Sequence, residues 1–181
     1  VLLFALDAET VRAVTAQFES REVEKHYLAV VRGHIAEVGV IDHPLRDIAG
    51  TSDAAVSEAR REAVTAFERV DAVELPVAVD RYPTSRYSLV RLRPRTGRQH
   101  QLRRHMHHVS HPIIGDTRYG KGVHNRFFRE HFGCHRLLLA CTRLELEHPV
   151  SGERLRLEAA PSGEFEALLA AMGWGGERSG R

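Results

Sequence analysis

The sequence lacks the features of secreted and membrane proteins. Its 181 residues include only two cysteines, Cys134 and Cys141, too few for a disulfide scaffold, and this number suits a reducing compartment. No window is long and apolar enough to span a bilayer, and no secretory signal is visible. These absences predict a cytoplasmic protein without a membrane segment.

Several motifs of well-known enzyme classes are also missing. The sequence has no glycine-rich loop to cradle phosphates, no nucleophile elbow and no Cys-x-x-Cys pair. Histidines at positions 105, 107, 108 and 111 suggest zinc, but no local cysteine or acidic residue completes a site and the spacing matches no usual helical ligand pattern. We therefore predict no metal, and expect these histidines to lie on the surface or to face a binding partner.

The net charge of +2 hides an uneven distribution along the chain. Residues 86–136 contain 12 arginine and lysine residues and 2 acidic residues, whereas residues 1–85 contain 9 and 15. Eight of the twelve histidines also fall in the middle block. A basic block in an otherwise mildly acidic protein is typical of a surface that binds a polyanion, because a merely solvated face would interleave acidic partners.

The length and the apolar fraction of 43% predict a single domain over residues 1–181, with a disordered tail at 174–181. Val1–Leu6 resembles a strand that begins in mid-pattern, so we expect a domain truncated upstream. Many strands with a few helices between them predict an α+β fold.

Periodicity and turn residues locate the individual elements. Apolar residues spaced three and four apart predict helices, and alternating apolar residues predict strands. Residues 37–57 look irregular, and residues 62–79 look like two short strands broken near Asp71. The predicted helices are 8–22, 96–110, 125–131 and 163–172, the last capped by Ser162, and the other predicted strands are 23–32, 87–93, 136–147 and 154–158.

The most informative segment is Arg95–His105, which reads Arg-Thr-Gly-Arg-Gln-His-Gln-Leu-Arg-Arg-His. It follows a predicted strand and begins a predicted helix, with Thr96 and Gln99 three apart as in a capping box. Four guanidinium groups and two imidazoles therefore crowd one strand-to-helix junction. So much positive charge at one place indicates a bound phosphate, a bound carboxylate or both.

These residues resemble the RluA family of pseudouridine synthases, which isomerise a uridine in RNA to its C-glycoside. The specific blocks are Arg95–Arg103 and His111–Asp116, the second reading His-Pro-Ile-Ile-Gly-Asp. Residues 124–133 most resemble the TruC branch, which modifies a tRNA. The supporting blocks, in family order over nearly the whole chain, are Leu2–Leu6, Glu24–Gly33, Arg136–Leu139 and His148–Pro149.

The resemblance implies the pseudouridine synthase fold, a mixed, mainly antiparallel central sheet flanked by helices, here incomplete at the N-terminus. It implies an isomerase that needs no cofactor, because the same atoms are only reconnected. The expected partner is RNA, tRNA rather than rRNA, and the protein is expected to be a monomer. Two alternatives stay open. One is a non-catalytic RNA-binding domain, which the basic block supports equally well, and the other is a metal-dependent nuclease or phosphoesterase built on the histidines.

The resemblance also assigns roles to residues. Tyr27, which strand spacing alone would place in the core, matches the tyrosine that stacks on the target base, and Arg103 matches the arginine that pairs with the catalytic aspartate. Asp116 has an equal claim to be a structural turn cap. The residues assigned to RNA contact and to building the pocket are Lys25, Arg95, Arg98, His100, Gln101, Arg104, Arg118 and Lys121. Gly97 is expected to allow a close backbone approach.

One family feature is missing. The catalytic aspartate belongs to a His-Arg-Leu-Asp-Arg segment immediately upstream of the strand that begins here at Val1, and Asp7 lies on the wrong side of that strand to replace it. We therefore expect this chain alone to fold but to be inactive. Ala140–Cys141 is a second departure, since relatives have His-Ala there, and Cys141 is expected to be a small core residue.

Overall fold

The structure is a computed structural model that describes residues 1–48 and 59–174. The helices in this part of the chain are α1 (Ala8–Glu19), α2 (Gln101–His108), α3 (Gly122–Phe132) and α4 (Glu164–Ala171). The strands are β1 (Glu24–Arg32), β2 (Val38–Asp42), β3 (Leu45–Arg46), β4 (Arg60–Arg61), β5 (Val64–Leu75), β6 (Ser85–Pro94), β7 (Leu139–Glu147) and β8 (Arg154–Glu158).

Six strands form one sheet in the order β2-β5-β6-β1-β7-β8, and β3 pairs with β4 in a separate two-stranded sheet. Every pairing between the described strands is antiparallel. A central antiparallel sheet flanked by helices confirms the predicted α+β fold. β1 lies inside the sheet between β6 and β7, so both of its edges are hydrogen-bonded.

The two faces of β1 pack against different helices, because alternate side chains of a strand point to opposite faces. On one face Val30 packs with Phe128 of α3 and Phe165 of α4. On the other face Ala29 packs with Met106 of α2. The sheet therefore separates two apolar clusters, and the predicted basic motif lies on the α2 side.

The helix of the basic motif, α2, begins at Gln101, five residues after the predicted start at Thr96. Residues 95–100 lie outside the helix, and His100 takes a left-handed backbone conformation with a φ of 54°. The predicted capping box between Thr96 and Gln99 is wrong, because the Thr96 hydroxyl donates to the Gln101 side-chain oxygen at 2.7 Å.

The strand predictions also need correction. Residues 64–75 form one long strand, with a bulge between Arg69 and Asp71 where a break was expected. The irregular prediction for 37–57 missed β2 and β3, and its residues 49–57 lie outside the described part of the chain. Val1–Leu6, which was predicted to be a strand, is not part of a described strand. It is joined to the sheet by a hydrogen bond from the Val1 nitrogen to the Cys141 carbonyl at 2.6 Å.

The C-terminal helix differs from its prediction at its start. α4 follows Gly163, which has a φ of 61°, and Ser162 does not provide the predicted cap. Trp174 lies in the segment expected to be disordered, but its N–H donates to the Leu169 carbonyl at 2.8 Å and its side chain packs against the core. Residues 175–181 lie outside the described part.

Candidate RNA-binding and catalytic site

A cleft on the α2 side of the sheet is lined by Lys25 and Tyr27, which are two residues apart on β1 and therefore share a face. One arm of the cleft, about 340 Å³, runs between the N-terminal segment, α1 and β7, and is lined by Val1, Phe18 and Cys141 among others. The other arm, about 200 Å³, lies beside residues 94–102 of the basic motif. No carboxylate of the described residues lines either arm.

Tyr27 contributes a neutral phenol to this cleft. Burial raises the pKa of Tyr27 to about 12, so the hydroxyl keeps its proton at neutral pH. Cys141 is its cross-strand neighbour on β7, and burial also raises the pKa of that thiol. Cys141 is half-buried and lines the cleft, so it is not the enclosed core residue that the sequence predicted. Both groups can donate a proton in a hydrogen bond, and neither carries charge.

The loop before α2 is held by the side chain of Gln101, which is buried. Its oxygen accepts from the Thr96 hydroxyl at 2.7 Å and from the backbone N–H of Arg98 at 3.0 Å. Its nitrogen donates to the Val64 carbonyl and to the Thr65 hydroxyl, both at 3.0 Å. Every polar atom of this side chain is thus used inside the protein, which places Gln101 among the residues that build the cleft.

Gly97 lies at the open end of the same loop. A Cβ atom built there would meet nothing within 4 Å, so the expected close approach of protein backbone is absent among the described residues. The open space belongs to the cleft, because Gly97 lines its smaller arm. Any close approach at this position would therefore come from a bound molecule.

Arg103 is bound to Asp116. Its Nε and Nη2 donate to the two carboxylate oxygens at 2.7 and 2.8 Å. Asp116 Oδ1 also accepts the backbone N–H groups of Arg118 and Tyr119, each at 2.9 Å. Burial opposes ionisation of Asp116, but Arg103 and these N–H groups outweigh it, so the pKa of Asp116 is lowered. Asp116 is therefore both a turn cap and the partner of a motif arginine.

The turn that carries Asp116 depends on glycine. Gly115 has a φ of +81°, and a Cβ there would lie 2.0 Å from the carbonyl oxygen of Arg136. No other residue type fits both this conformation and this approach. The turn brings the Tyr119 ring beside α2, where its centroid lies 5.1 Å from the guanidinium carbon of Arg103 and 5.5 Å from that of Arg118. Tyr119 thus contacts two arginines that were predicted to be functional, and sequence reasoning missed it because only a turn signal precedes it.

The remaining residues that were predicted to bind RNA differ in whether their charged or polar groups already have partners within the protein. Arg95 and Arg118 are exposed, and no described carboxylate pairs with either. Arg98 donates to the Glu62 carbonyl and Arg104 to the Arg46 carbonyl, so both keep their charge unpaired. His100, by contrast, contacts the hydroxyl of Tyr119 at 3.3 Å, and Lys121 pairs with Asp80, away from the cleft.

The histidine cluster does not form a metal site among the described residues. His105 is fully buried, with its ring nitrogens 3.0 Å from the Thr65 hydroxyl and 3.1 Å from the His43 carbonyl. The expectation that it lies on the surface or faces RNA is wrong, because α2 turns this position toward β5. The described residues also contain no helix long and apolar enough to cross a membrane.

Comparison with known proteins now identifies the family. The family model of RNA pseudouridylate synthase matches residues 1–108, which include β1 and the whole basic motif. The chain belongs to the RNA pseudouridylate synthase family. The resemblance found in the sequence is thereby confirmed.

Curated relatives of this pseudouridylate synthase family member carry the name tRNA pseudouridine synthase C. That of Pectobacterium carotovorum subsp. carotovorum is 47% identical over 179 residues, covering 97% of this chain and 48% of the relative. That of Yersinia pestis is 44% identical, covering 97% of this chain and 70% of the relative. The chain thus spans about half the length of the first relative and about 70% of the second.

Solved structures agree on the fold. Human RNA Pseudouridylate Synthase Domain Containing 1 matches with a TM-score of 0.65 and 26% identity, covering 87% of this chain and 62% of that one. Human RNA Pseudouridylate Synthase Domain Containing 4 matches with a TM-score of 0.66 and 24% identity, covering 92% and 68%. The second likeness speaks for the fold alone.

Proposed function

We propose that this family member acts in the isomerisation of a uridine in structured RNA to pseudouridine, and that the RNA is tRNA rather than rRNA. The observation that carries the proposal is the cleft in which the neutral phenol of Tyr27 faces the loop of the basic motif. The names of the curated relatives support tRNA as the substrate. The expected absence of a cofactor, the monomeric state and the cytoplasmic location remain part of the proposal.

The cleft and the charges around it suit an RNA substrate. A uridine inside a folded RNA is stacked, so it has to be extruded into a pocket before it can react. Arg95, Arg98 and Arg118 carry charges without a carboxylate partner among the described residues, and would neutralise backbone phosphates around the opened nucleotide. Such contacts give affinity without reading sequence.

The reaction reconnects atoms of one nucleotide. The bond from ribose C1′ to uracil N1 breaks, the base turns, and a bond forms from C1′ to C5. C5 then loses its proton, and N1 gains a proton. Tyr27 would stack on the base, and its phenol would assist the proton step at C5. A carboxylate has to remain ionised in the cleft to attack the nucleotide or to abstract a proton. We retain Arg103 as the arginine that pairs with this carboxylate.

The carboxylate is proposed to come from a family segment that precedes Val1. None of the described carboxylates lines the cleft, and Asp7 instead caps α1 by accepting the Thr10 N–H at 2.8 Å. The Val1 nitrogen lies at the cleft, beside Cys141, so a preceding residue would enter next to Tyr27. This chain alone is therefore proposed to bind RNA without turning it over, as in the alternative of an RNA-binding domain.

A pseudouridine assay tests the proposal. Tritium release from RNA labelled at uracil C5 is measured for this chain and for a version extended upstream through a His-Arg-Leu-Asp-Arg segment. We expect release from the extended version only, and loss of release when its aspartate is changed to asparagine. Release by neither version, with RNA binding retained, would overturn the catalytic proposal in favour of a binding domain. Release by the chain alone would show that the carboxylate has been misplaced.

A further inference from the structure

A second pocket lies where β1 ends and β6 begins, on the face of the sheet that α3 covers. Its volume is about 500 Å³, within the range of small-molecule sites. The lining includes Arg32 of β1, Arg86 of β6, His124 of α3, and Asp80 and Tyr82 of the loop between β5 and β6. No described residue lines both this pocket and the cleft of Tyr27, so the two cavities are separate.

Arg32 brings an unpaired positive charge to this pocket. No described carboxylate forms an ion pair with its guanidinium, and no described residue accepts a hydrogen bond from it. The other charged groups of the lining already have partners, since Arg86 pairs with Glu74 at 3.0 Å and Asp80 pairs with Lys121. The charge that remains for a ligand is therefore that of Arg32.

His124 supplies a hydrogen-bond donor without an acceptor. Burial raises the pKa of Tyr87 to about 12, so its hydroxyl keeps its proton and donates to Nδ1 of His124, 2.9 Å away. The neutral imidazole then carries its own hydrogen on Nε2. His124 is 4% exposed, but no fully buried side-chain nitrogen of the described residues lacks a partner. Nε2 therefore reaches solvent, and it does so in the pocket that His124 lines.

Two donors without acceptors in one pocket indicate a ligand rich in acceptor oxygens. Burial, and after it the charge of Arg32, lowers the pKa of His124, which places the guanidinium near the imidazole. An anion between the two groups would compensate the charge of Arg32 and accept from Nε2. A phosphate group has enough oxygens for both, and a guanidinium matches its geometry.

The outer edge of the pocket carries an aromatic ring. Tyr82 lines the pocket and is 55% exposed, and its ring centroid lies 4.8 Å from the guanidinium carbon of Arg81. Exposed aromatic rings beside arginine side chains are the surfaces on which nucleic-acid bases stack. An aromatic ring next to a phosphate site favours a nucleotide over a simple anion.

We propose that this pocket is a nucleotide-binding site outside the cleft. Arg32 and the Nε2–H of His124 bind the phosphate, and Tyr82 stacks on the base. The nucleotide is either free or part of an RNA strand, because the recognising chemistry is the same. The inference is independent of the proposed function, since no residue that lines this pocket takes part in the proposed reaction.

Calorimetric titration of the 181-residue chain with AMP tests the phosphate contact. We expect AMP to bind, and adenosine, which lacks the phosphate, to bind at least about tenfold more weakly. Arg32→Met should weaken AMP binding by about tenfold or more, and Arg32→Lys should restore part of it. Arg86→Met is the matched control, because Arg86 lines the same pocket with its charge already paired, and it should change the Kd less than about threefold.

Three results would overturn the phosphate contact. They are no binding at millimolar AMP, equal AMP affinities for Arg32→Met and the parent, and equal losses for Arg32→Met and Arg86→Met. Equal melting temperatures of the two methionine variants would show that the fold is intact in both.

Tyr82→Ala tests the choice of a nucleotide. It should weaken AMP binding by about five- to a hundredfold, the effect of one stacked base, and leave the Kd of inorganic phosphate unchanged. An unchanged Kd for AMP would refute base stacking and with it the assignment to a nucleotide.

NMR of histidine labelled with ¹⁵N tests the part of His124 and needs no activity. AMP should move the Nε2 signal of His124, which is recognised by its absence in His124→Asn, and adenosine should not. A stationary signal at saturating AMP would overturn the site. Excess tRNA added to the AMP complex then identifies the source of the nucleotide. Release of AMP would support an RNA nucleotide in the pocket, and retention would support a free nucleotide.

Discussion

At the scale of single residues, the ion pair of Arg103 with Asp116 is unequal. The side chain of Asp116 is 1% exposed, whereas that of Arg103 is 19% exposed. Removing one partner of a buried pair leaves the other charge uncompensated, and the penalty grows with the burial of the group that remains. The two single substitutions should therefore differ in cost.

We predict that Arg103→Met destabilises the chain more than Asp116→Asn does, with about 3–5 kcal/mol as the upper bound for a pair of this kind. The pKa of Asp116 is lower in the folded chain than its ordinary value of 3.8. Ionised Asp116 therefore stabilises the fold above pH 3.8, and this stabilisation is lost as the pH falls through the pKa of the folded state. Urea unfolding at pH 7 and at pH 3 measures both effects. A larger loss for Asp116→Asn would contradict the assignment of the more buried partner.

The side chain of Gln101 shows what single-residue reasoning from the sequence misses. Helix-capping rules select Gln99, because it stands three after Thr96. The structure uses Gln101, whose hydrogen bonds reach Val64 and Thr65 on β5, more than thirty residues away. A local rule has no access to that contact, which exists only because β5 pairs with β6 in front of the loop.

At the scale of elements, β6 and α3 are joined by a buried pair, Tyr87 and His124. The Tyr87 hydroxyl lies 2.9 Å from Nδ1 of His124, and the Tyr87 ring meets Phe128 edge to face. Burial, followed by the nearby charges of Arg32 and Lys121, lowers the pKa of His124 to about 4. The joint therefore requires a neutral imidazole.

We predict that this joint weakens in acid before the carboxylates are protonated. The histidine binds fewer protons in the folded than in the unfolded chain, so its contribution is complete above about pH 6.5 and is lost as the pH falls toward 4, on the order of 3 kcal/mol in all. Chemical unfolding of the protein and of His124→Asn across this pH range separates the contribution of His124 to the free energy of unfolding from that of the other histidines. Parallel pH curves for the two proteins would contradict it.

The sequence predicts an element correctly where a single periodic pattern of apolar residues extends over the whole element. β1, β6, β7 and β8 follow their predictions within a few residues, because alternation continues to the turn residues that end them. β5 was divided in two because a bulge between Arg69 and Asp71 shifts the alternation by one residue, which in a single sequence looks like the end of a strand.

At the scale of the whole molecule, several arginines of the basic block are already paired with carboxylates, so fewer charges can bind a polyanion than their number suggests. The pairing of β5 with β6 sets Glu68 opposite Arg91 and Glu74 opposite Arg86, and both pairs form ion pairs. The sequence could not show this, since these acids belong to the preceding acidic block. The arginines of the block without an ion pair among the described residues include Arg95 and Arg118, and also Arg126 and Arg129 of α3, on the other side of the sheet.

Salt dependence of RNA binding tests this distribution. Arg118→Ala should reduce the slope of log Kd against log salt by about 0.7–0.9, the value of one phosphate contact. Lys121→Ala should reduce it less, because Asp80 already pairs with that ammonium. Arg156→Ala, on β8 and bound to Glu158 at 2.6 Å, is the control and should leave the slope unchanged. Equal slopes for Arg118→Ala and the parent would remove Arg118 from the footprint.

The interior position of β1 also has a consequence for how the protein is made. The partners of β1 lie far ahead of it in the chain, since Leu28 pairs with Arg91 and with Ala140. The strand that presents Lys25 and Tyr27 therefore keeps one edge open until β6, 63 residues beyond Leu28 at Arg91, has been synthesised. Its other edge stays open until β7, 112 residues beyond Leu28 at Ala140. Contacts so distant in sequence form slowly, and open strand edges invite misassembly. The cleft is thus completed only after β7 has been synthesised.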